Sequence, residues 1–198
     1  MDLFWVYFQI GLKHVLDINS YDHILFLLAL TVPYAFKDWK KVLLLISIFT
    51  IGHTLALLLS IFGIITIKAS FVEFLIPISI FFAAVYNLFT AGKSSKNSSI
   101  SLVGFLTLFF GIIHGLGFSN YFNTILSGNA TDKLIPTLEF ALGIETAQII
   151  IVFLVLLLSF IVQNFLKFSK RDWTLVVSSV IIGIVIPMIV ESEIWIRK

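Results

Sequence analysis

The chain contains no cysteine, and this absence excludes disulfide bridges, thiolate nucleophiles and thiolate metal sites. Its two methionines, Met1 and Met188, are too few for a soft copper(I) site. Charged residues make up 12% of the 198 residues, whereas soluble domains contain roughly 25%. So few charged side chains cannot cover a globule with a polar surface. The composition therefore predicts a protein whose solvent is mostly lipid.

Several catalytic motifs are also missing from the chain. It has no glycine-rich phosphate loop, no His-Glu-x-x-His helix and no Gly-x-Ser-x-Gly turn. The formal net charge of +2 is too small to indicate nucleic acid as a partner, and the basic residues lie in loops. These absences argue against nucleotide hydrolysis, soluble metalloprotease activity, serine hydrolysis and nucleic-acid binding.

Long apolar runs dominate what is present. A spanning helix needs about 20 mostly apolar residues, and these runs lack the alternation of barrel strands. We predict an all-α polytopic membrane bundle of six or seven segments, forming one domain over residues 1–198. The first two segments are short and flank a polar turn, so they form either two short spans or a broken hairpin. The predicted segments are about 3–16, 21–36, 41–66, 70–91, 99–125, 133–163 and 173–191.

Lysine and arginine are concentrated in alternate loops. The loops 37–41, 92–98 and 164–172 hold eight of the thirteen basic residues, and the 17–22 turn holds none. Because cytoplasmic loops carry an excess of Lys and Arg, we expect these three loops in the cytoplasm and the 17–22 turn outside. The expected location is a bacterial inner membrane. Membrane lipid and a metal ion are the expected partners, and nucleic acid is not expected to bind. The sequence does not decide whether the chain forms a homo-oligomer.

All four histidines lie in or at the edge of predicted membrane segments, together with several carboxylates. An ionisable group in a membrane costs about 2.5–3.5 kcal/mol on insertion scales, so these groups must stabilise one another or hold a ligand jointly. A helical rise of about 1.5 Å per residue predicts an outer entrance and a deeper site. The entrance is formed by His14, Asp22 and His23, and the deeper site by His53, His114 and Glu145.

Imidazole and carboxylate ligands without thiolate suit a divalent transition metal such as Ni, Co or Zn. Further polar residues are candidates for supporting these ligands through hydrogen bonds. They are Asp17, Thr54, Thr146 and Gln148. Asp17 has an alternative role as a turn cap. For the whole set, the alternative to a shared site is that each group only hydrogen-bonds a neighbouring helix.

At these positions the sequence resembles the HupE/UreJ family of membrane proteins, and it looks closest to the second, shorter branch. The matching segments are residues 11–14 (GLKH), 21–27 (YDHILFL), 49–54 (FTIGHT), 113–118 (IHGLGF) and 143–148 (GIETAQ). They are spread over most of the chain and are specific only when taken together. The resemblance implies a helical membrane protein, and the family is described as nickel or cobalt permeases.

Three functions remain open at this point. The leading one is a permease for a divalent metal, nickel or cobalt first and zinc next. The first alternative is an intramembrane metal-dependent hydrolase of a lipid or membrane-embedded substrate, with Asp22 or Glu145 as the general base. The second alternative is an accessory or structural membrane subunit in which the polar groups serve helix packing alone.

Overall fold

The computed structural model describes residues 3–92, 100–126 and 128–196, and within these ranges the chain forms helices and no strand. Two short 3₁₀ turns, Ile18–Ser20 and Phe36–Asp38, precede the second and third helices. The predicted all-α bundle is confirmed. The helices are α1 (Leu3–Leu16), α2 (Asp22–Thr31), α3 (Trp39–Ile61), α4 (Ala69–Thr90), α5 (Ile100–Ile125), α6 (Leu134–Asn164), α7 (Lys170–Val190) and α8 (Glu193–Ile196).

Five helices of the described ranges, α3 to α7, are long and apolar enough to cross a membrane. The first two are shorter, with 14 and 10 residues. At about 1.5 Å per residue they reach about 21 and 15 Å, which is less than the hydrocarbon core of about 30 Å. They form the short first hairpin that the sequence predicts, and the molecule is a polytopic helical membrane protein.

Three helix ends differ from the predicted segments, each for a local reason. The second helix ends at Thr31 rather than near residue 36, because Pro33 has no backbone N–H with which to continue the helical hydrogen bonds. Helix α3 ends at Ile61 rather than near 66, and Gly63 follows with φ +69°, a left-handed conformation. Helix α7 begins at Lys170 rather than 173, because Ser169 accepts a hydrogen bond from the backbone N–H of the third residue after it and caps the helix.

Helices α3 and α5 pack with their backbones in contact. A Cβ atom at Gly52 would collide with α5, and one at Gly111 or Gly115 would collide with α3. The backbone of His53 lies against both of the α5 glycines. Small residues permit this close approach of membrane helices. The pairing therefore sets His53 on α3 beside His114 on α5.

A second close pair joins α1 to α6. A Cβ at Gly11 would collide with the carbonyl of Phe140, and one at Gly143 would collide with the carbonyl of Phe8. These contacts hold the last two turns of α1, which carry His14, against α6.

Helix α2 is enclosed by α3, α4, α6 and α7, and seven of its ten residues are buried. The last carbonyls of any helix lack an intrahelical partner, and within a membrane they must be satisfied by protein. Asn87 of α4 donates to the carbonyl of Ala29 at 2.7 Å, and Thr174 of α7 donates to the carbonyl of Val32 at 3.5 Å. Side chains of the neighbouring helices thus stabilise the C-terminal end of this short helix.

The basic loops 92–98 and 164–172 meet at one end of the bundle, where Gly92 lies against the side chain of Arg171. Both residues line a cavity there, together with Tyr34, which precedes the basic loop 37–41. The lysines at 93 and 96, part of the predicted basic loop 92–98, lie outside the described residues. That this end faces the cytoplasm stays a prediction.

Candidate metal centre

The four histidines of the chain meet in one cluster, and they come from α1, α2, α3 and α5. Ring centroids are 4.6 Å apart for His14 and His23, and 5.1 Å apart for His23 and His114. The ring of His53 lies 5.8 Å from that of His14 and 6.0 Å from that of His23. We call these four side chains the histidine cluster. The structure merges the histidines that the sequence assigned to two separate depths.

The depth of the first hairpin explains this difference. About 12 Å of helix separates His53 from the end of α3 at Ile61. His14 and His23, on either side of the hairpin turn, lie level with His53. The turn therefore lies below the level at which α3 ends, whereas the sequence-based depths placed it at the membrane surface.

Five ring nitrogens of the cluster are buried and unpaired. His53 and His114 are 0% and 1% exposed. The Nε2 atoms of all four histidines, and also Nδ1 of His53, have no hydrogen-bond partner among the residues described. Leaving a buried polar atom unpaired costs about 1–3 kcal/mol. Several such atoms facing one place indicate a site for an ion that accepts their lone pairs.

The spacing of these nitrogens fits a metal ion after a small adjustment. One ring nitrogen each of His14, His23 and His53 lie within 4.8 Å of one another. Nitrogen ligands about 2.1 Å from a tetrahedrally coordinated ion are about 3.4 Å apart. A shortening of these distances by up to about 1.4 Å, the difference between the two spacings, completes the site. His114 adjoins this triad as a fourth imidazole.

Two of the rings are fixed in the form that presents Nε2 as a ligand. Nδ1 of His114 lies 2.8 Å from the carbonyl oxygen of Phe110, which can only accept, so Nδ1 donates. Nδ1 of His23 lies 3.1 Å from Oδ1 of Asp22 and donates in the same way to the carboxylate. Metal-binding histidines usually donate their second N–H to a carboxylate or carbonyl. The observed contact of Asp22 is with His23, which it orients.

We expect Asp22→Asn to weaken metal binding by about 10–100-fold, the usual loss when a hydrogen-bond partner of a ligand is changed. The amide keeps the shape of the side chain but removes the negative charge beside His23. Competition with a chromogenic chelator in detergent measures the dissociation constant. Asp38→Asn, a matched change at a carboxylate that caps a turn near Ala35, should leave it unchanged. Equal affinities of wild type and Asp22→Asn would contradict the orienting role.

Phenylalanine rings surround the cluster with apolar surface. The ring centroid of Phe118 is 3.9 Å from that of His14, and Phe49 and Phe26 lie 5.2 and 5.3 Å from His114. Phe140 closes another side at 6.2 Å from His53. An apolar shell of this kind controls solvent access and the local dielectric of a metal site. The sequence reasoning missed these residues.

A usable signal for this shell was present in the sequence. Three of its rings stand three or four residues from a histidine on the same helix, which places both side chains on one face. These pairs are His23 with Phe26, Phe49 with His53, and His114 with Phe118. The fourth ring, Phe140, comes from α6, which carries no histidine.

A small cavity leads toward the cluster from the end of the bundle opposite the basic loops. It has a volume of about 250 Å³, and Asp22 forms part of its wall. Because Asp22 also contacts His23, the cavity reaches the side of the cluster at which Asp22 lies. Its lining residues are Asn19, Ser20, Tyr21, Asp22, Glu73, Ile76, Pro77 and Met188.

The structure does not bring Glu145 to the cluster. Its Oε1 accepts a hydrogen bond from Ser47 of α3, and about 9 Å of helix separates Ser47 from His53. Gln148 lies nearby and accepts from Thr50 at 3.0 Å. The side chains of Glu145 and Gln148 thus join α6 to α3 below the histidines, a pairing that the sequence reasoning did not anticipate.

The remaining supporting candidates have local roles or form no hydrogen bond within the described part of the chain. Asp17 is exposed and accepts from the backbone N–H of Asn19 at 2.9 Å, so it caps the turn. Thr146 donates to the carbonyl of Leu142 in its own helix at 2.8 Å. Thr54 is half-buried beside His53.

Comparison of the chain with curated proteins and with solved structures finds no match. A family model described as HupE / UreJ protein matches residues 1–192. The matched range contains all four histidines and Asp22. The chain therefore belongs to the HupE/UreJ family of membrane proteins.

Proposed function

We propose that the protein is a permease for a divalent transition metal, nickel or cobalt first and zinc next. The observation that carries this proposal is the cluster of buried imidazoles with unpaired Nε2 atoms. Membership of a family associated with nickel and cobalt transport supports the same function.

The charge balance of the site favours reversible binding. A divalent ion held by neutral imidazoles keeps its full charge, and a charge in a low-dielectric interior is poorly stabilised unless it is paired. Among the described residues next to the cluster, Asp22 supplies a negative charge in direct contact with a ring. A single carboxylate offsets half of the charge of the ion. Weak retention of this kind suits a transported ion, which must leave the site again.

The position of the small cavity supports entry of the ion from the end opposite the basic loops. Its wall carries the carboxylates of Asp22 and Glu73, which attract a cation. Asp22 then adjoins His23 at the edge of the cluster. In this proposal the ion passes from the cavity, past Asp22, to the imidazoles, and the predicted orientation makes this the outer side.

The hydrolase alternative receives less support from the geometry. A general base must lie within hydrogen-bond reach of the attacking water. Of the two carboxylates considered for this role, Glu145 is bonded to Ser47 and lies away from the cluster. Asp22 is bonded to the ring of His23, where it orients an imidazole.

Transport is tested in proteoliposomes that contain a trapped metal-sensitive dye. We expect the wild type to carry Ni²⁺, Co²⁺ or Zn²⁺ inward, and His23→Gln to reduce the initial rate at least about tenfold, in line with a lost metal ligand. Ser178→Ala, a change at a buried hydroxyl of α7, should leave the rate unchanged. Equal rates in wild-type and protein-free liposomes would rule out the permease. Bound metal without transport, combined with chelator-sensitive lipid hydrolysis, would favour the enzyme.

A further inference from the structure

A larger cavity lies at the basic end of the bundle, between α2, α4, α5 and α7. Its volume is about 820 Å³, within the range of about 300–1,000 Å³ for ligand pockets. No histidine contributes to its wall, which is mainly apolar and aromatic. The residues that define its shape are Phe26, Ala29, Phe82, Ala83, Phe109 and Phe110.

The depth of this cavity matches one leaflet of a bilayer. Along α4 its wall runs from Phe82 to Thr90, which is about 12 Å of helix. Along α5 it runs from Val103 to Phe110, about 10 Å. Half of the hydrocarbon core is about 15 Å thick. The cavity can therefore accept most of an acyl chain that lies parallel to the helices.

Exposed rings show where the cavity opens. Phe82 of α4 and Phe109 of α5 line the cavity and are also 61% and 50% exposed at the surface of the protein. The surface of these helices faces the hydrocarbon of the membrane. The cavity thus has a side opening toward lipid.

Two cations lie at the end of the cavity nearest the helix termini. Lys170 and Arg171, in the first turn of α7, are part of its wall. Neither forms an ion pair with any residue in the described part of the chain. Like-charge repulsion disfavours a divalent cation there, whereas basic pockets between membrane helices bind anionic lipid head groups.

We propose that this cavity binds an anionic phospholipid. Its phosphate lies at Lys170 and Arg171, and one acyl chain enters between α4 and α5 and extends toward Phe26. The cations at one end of the cavity match the anionic head group of such a lipid, and the apolar walls match its acyl chain. This site contains no histidine, although it shares the ring of Phe26 with the shell of the histidine cluster, and it does not depend on metal transport.

The test uses the delipidated full-length protein in detergent. Phosphatidylglycerol should raise the melting temperature of the wild type by about 5–10 °C near saturation, and phosphatidylcholine with the same acyl chains should not. The double variant Lys170→Gln/Arg171→Gln should lose this shift. The matched variant Lys37→Gln/Lys40→Gln, with the same charge change at residues outside the cavity wall, should keep it.

Two further measurements separate a lipid from its parts. Glycerol 3-phosphate should give no shift, because it lacks the acyl chain. Ala83→Phe, which fills the cavity with a ring, should abolish the lipid-induced shift and the lipid adduct seen by native mass spectrometry. The proposal is overturned if phosphatidylcholine or glycerol 3-phosphate stabilises the wild type equally. It is also overturned if both cavity variants keep the phosphatidylglycerol adduct.

Discussion

Replacing His53 with alanine should remove the metal from the purified protein. The imidazole of His53 is fully buried, neither of its nitrogens has a partner among the described residues, and it belongs to the triad with His14 and His23. The chain has four histidines, and all of them already lie in the cluster. No further imidazole can therefore replace the lost ligand.

The expected loss of affinity exceeds the 10–100-fold range typical of supporting residues, so it is at least about 100-fold. Equilibrium dialysis of the detergent-purified protein against Ni²⁺, Co²⁺ or Zn²⁺, followed by elemental analysis of both compartments, measures the bound metal per protein and shows which ion binds. Wild type should bind a stoichiometric amount at saturating metal, and His53→Ala should bind only background.

Glu145→Gln provides the informative comparison for this experiment. Because Glu145 is hydrogen-bonded to Ser47 away from the histidines, its amide variant should keep the metal. Loss of metal in Glu145→Gln to the same extent as in His53→Ala would show that the carboxylate is a ligand after all. Full metal content in His53→Ala would remove the basis of the proposed site.

The second large effect is expected from Gly115→Ala. A Cβ at Gly115 would collide with the carbonyl oxygen of His53 and would press on the side chain of Ala56. Overpacking of this kind costs about 1–3 kcal/mol. For a protein of this size we expect a melting temperature lower by roughly 2–12 °C. Thermal unfolding in detergent measures this difference.

Gly183→Ala is the matched control for Gly115→Ala. Gly183 also lies inside a long membrane helix, and a Cβ there would meet no atom within 4 Å. Alanine favours a helix over glycine by about 1 kcal/mol, so this variant should be as stable as the wild type or slightly more so. Equal losses of stability in the two variants would contradict the close α3–α5 contact.

The metal affinity of Gly115→Ala tests whether the α3–α5 contact also positions the histidine cluster. Because Gly115 contacts the backbone of His53, separation of α3 from α5 moves His53 away from the other rings. Gly115→Ala should therefore bind metal more weakly, while Gly183→Ala should bind normally. A destabilised Gly115→Ala that retains wild-type affinity would show that the cluster tolerates this movement.

The sequence by itself determined the class of the protein and the chemistry of its polar interior. Long apolar runs with few charges predict membrane helices on composition alone. The positions of the five long apolar helices agree with the predicted segments. The four histidines were identifiable because ionisable groups in membrane segments are costly and therefore rare. The family resemblance used the same residues, and the family model confirms it.

Only the tertiary structure decided which of these groups meet. A ten-residue helix such as α2 is apolar on most sides, so its sequence does not show how deeply it is inserted. Its depth follows from side chains on other helices, such as Asn87, that hydrogen-bond the carbonyls at its C-terminal end. That depth brings His14 and His23 level with His53. The partner of Glu145, the phenylalanine shell and both cavities likewise depend on contacts between distant segments, because residue spacing within one helix carries no information about the helix that packs against it.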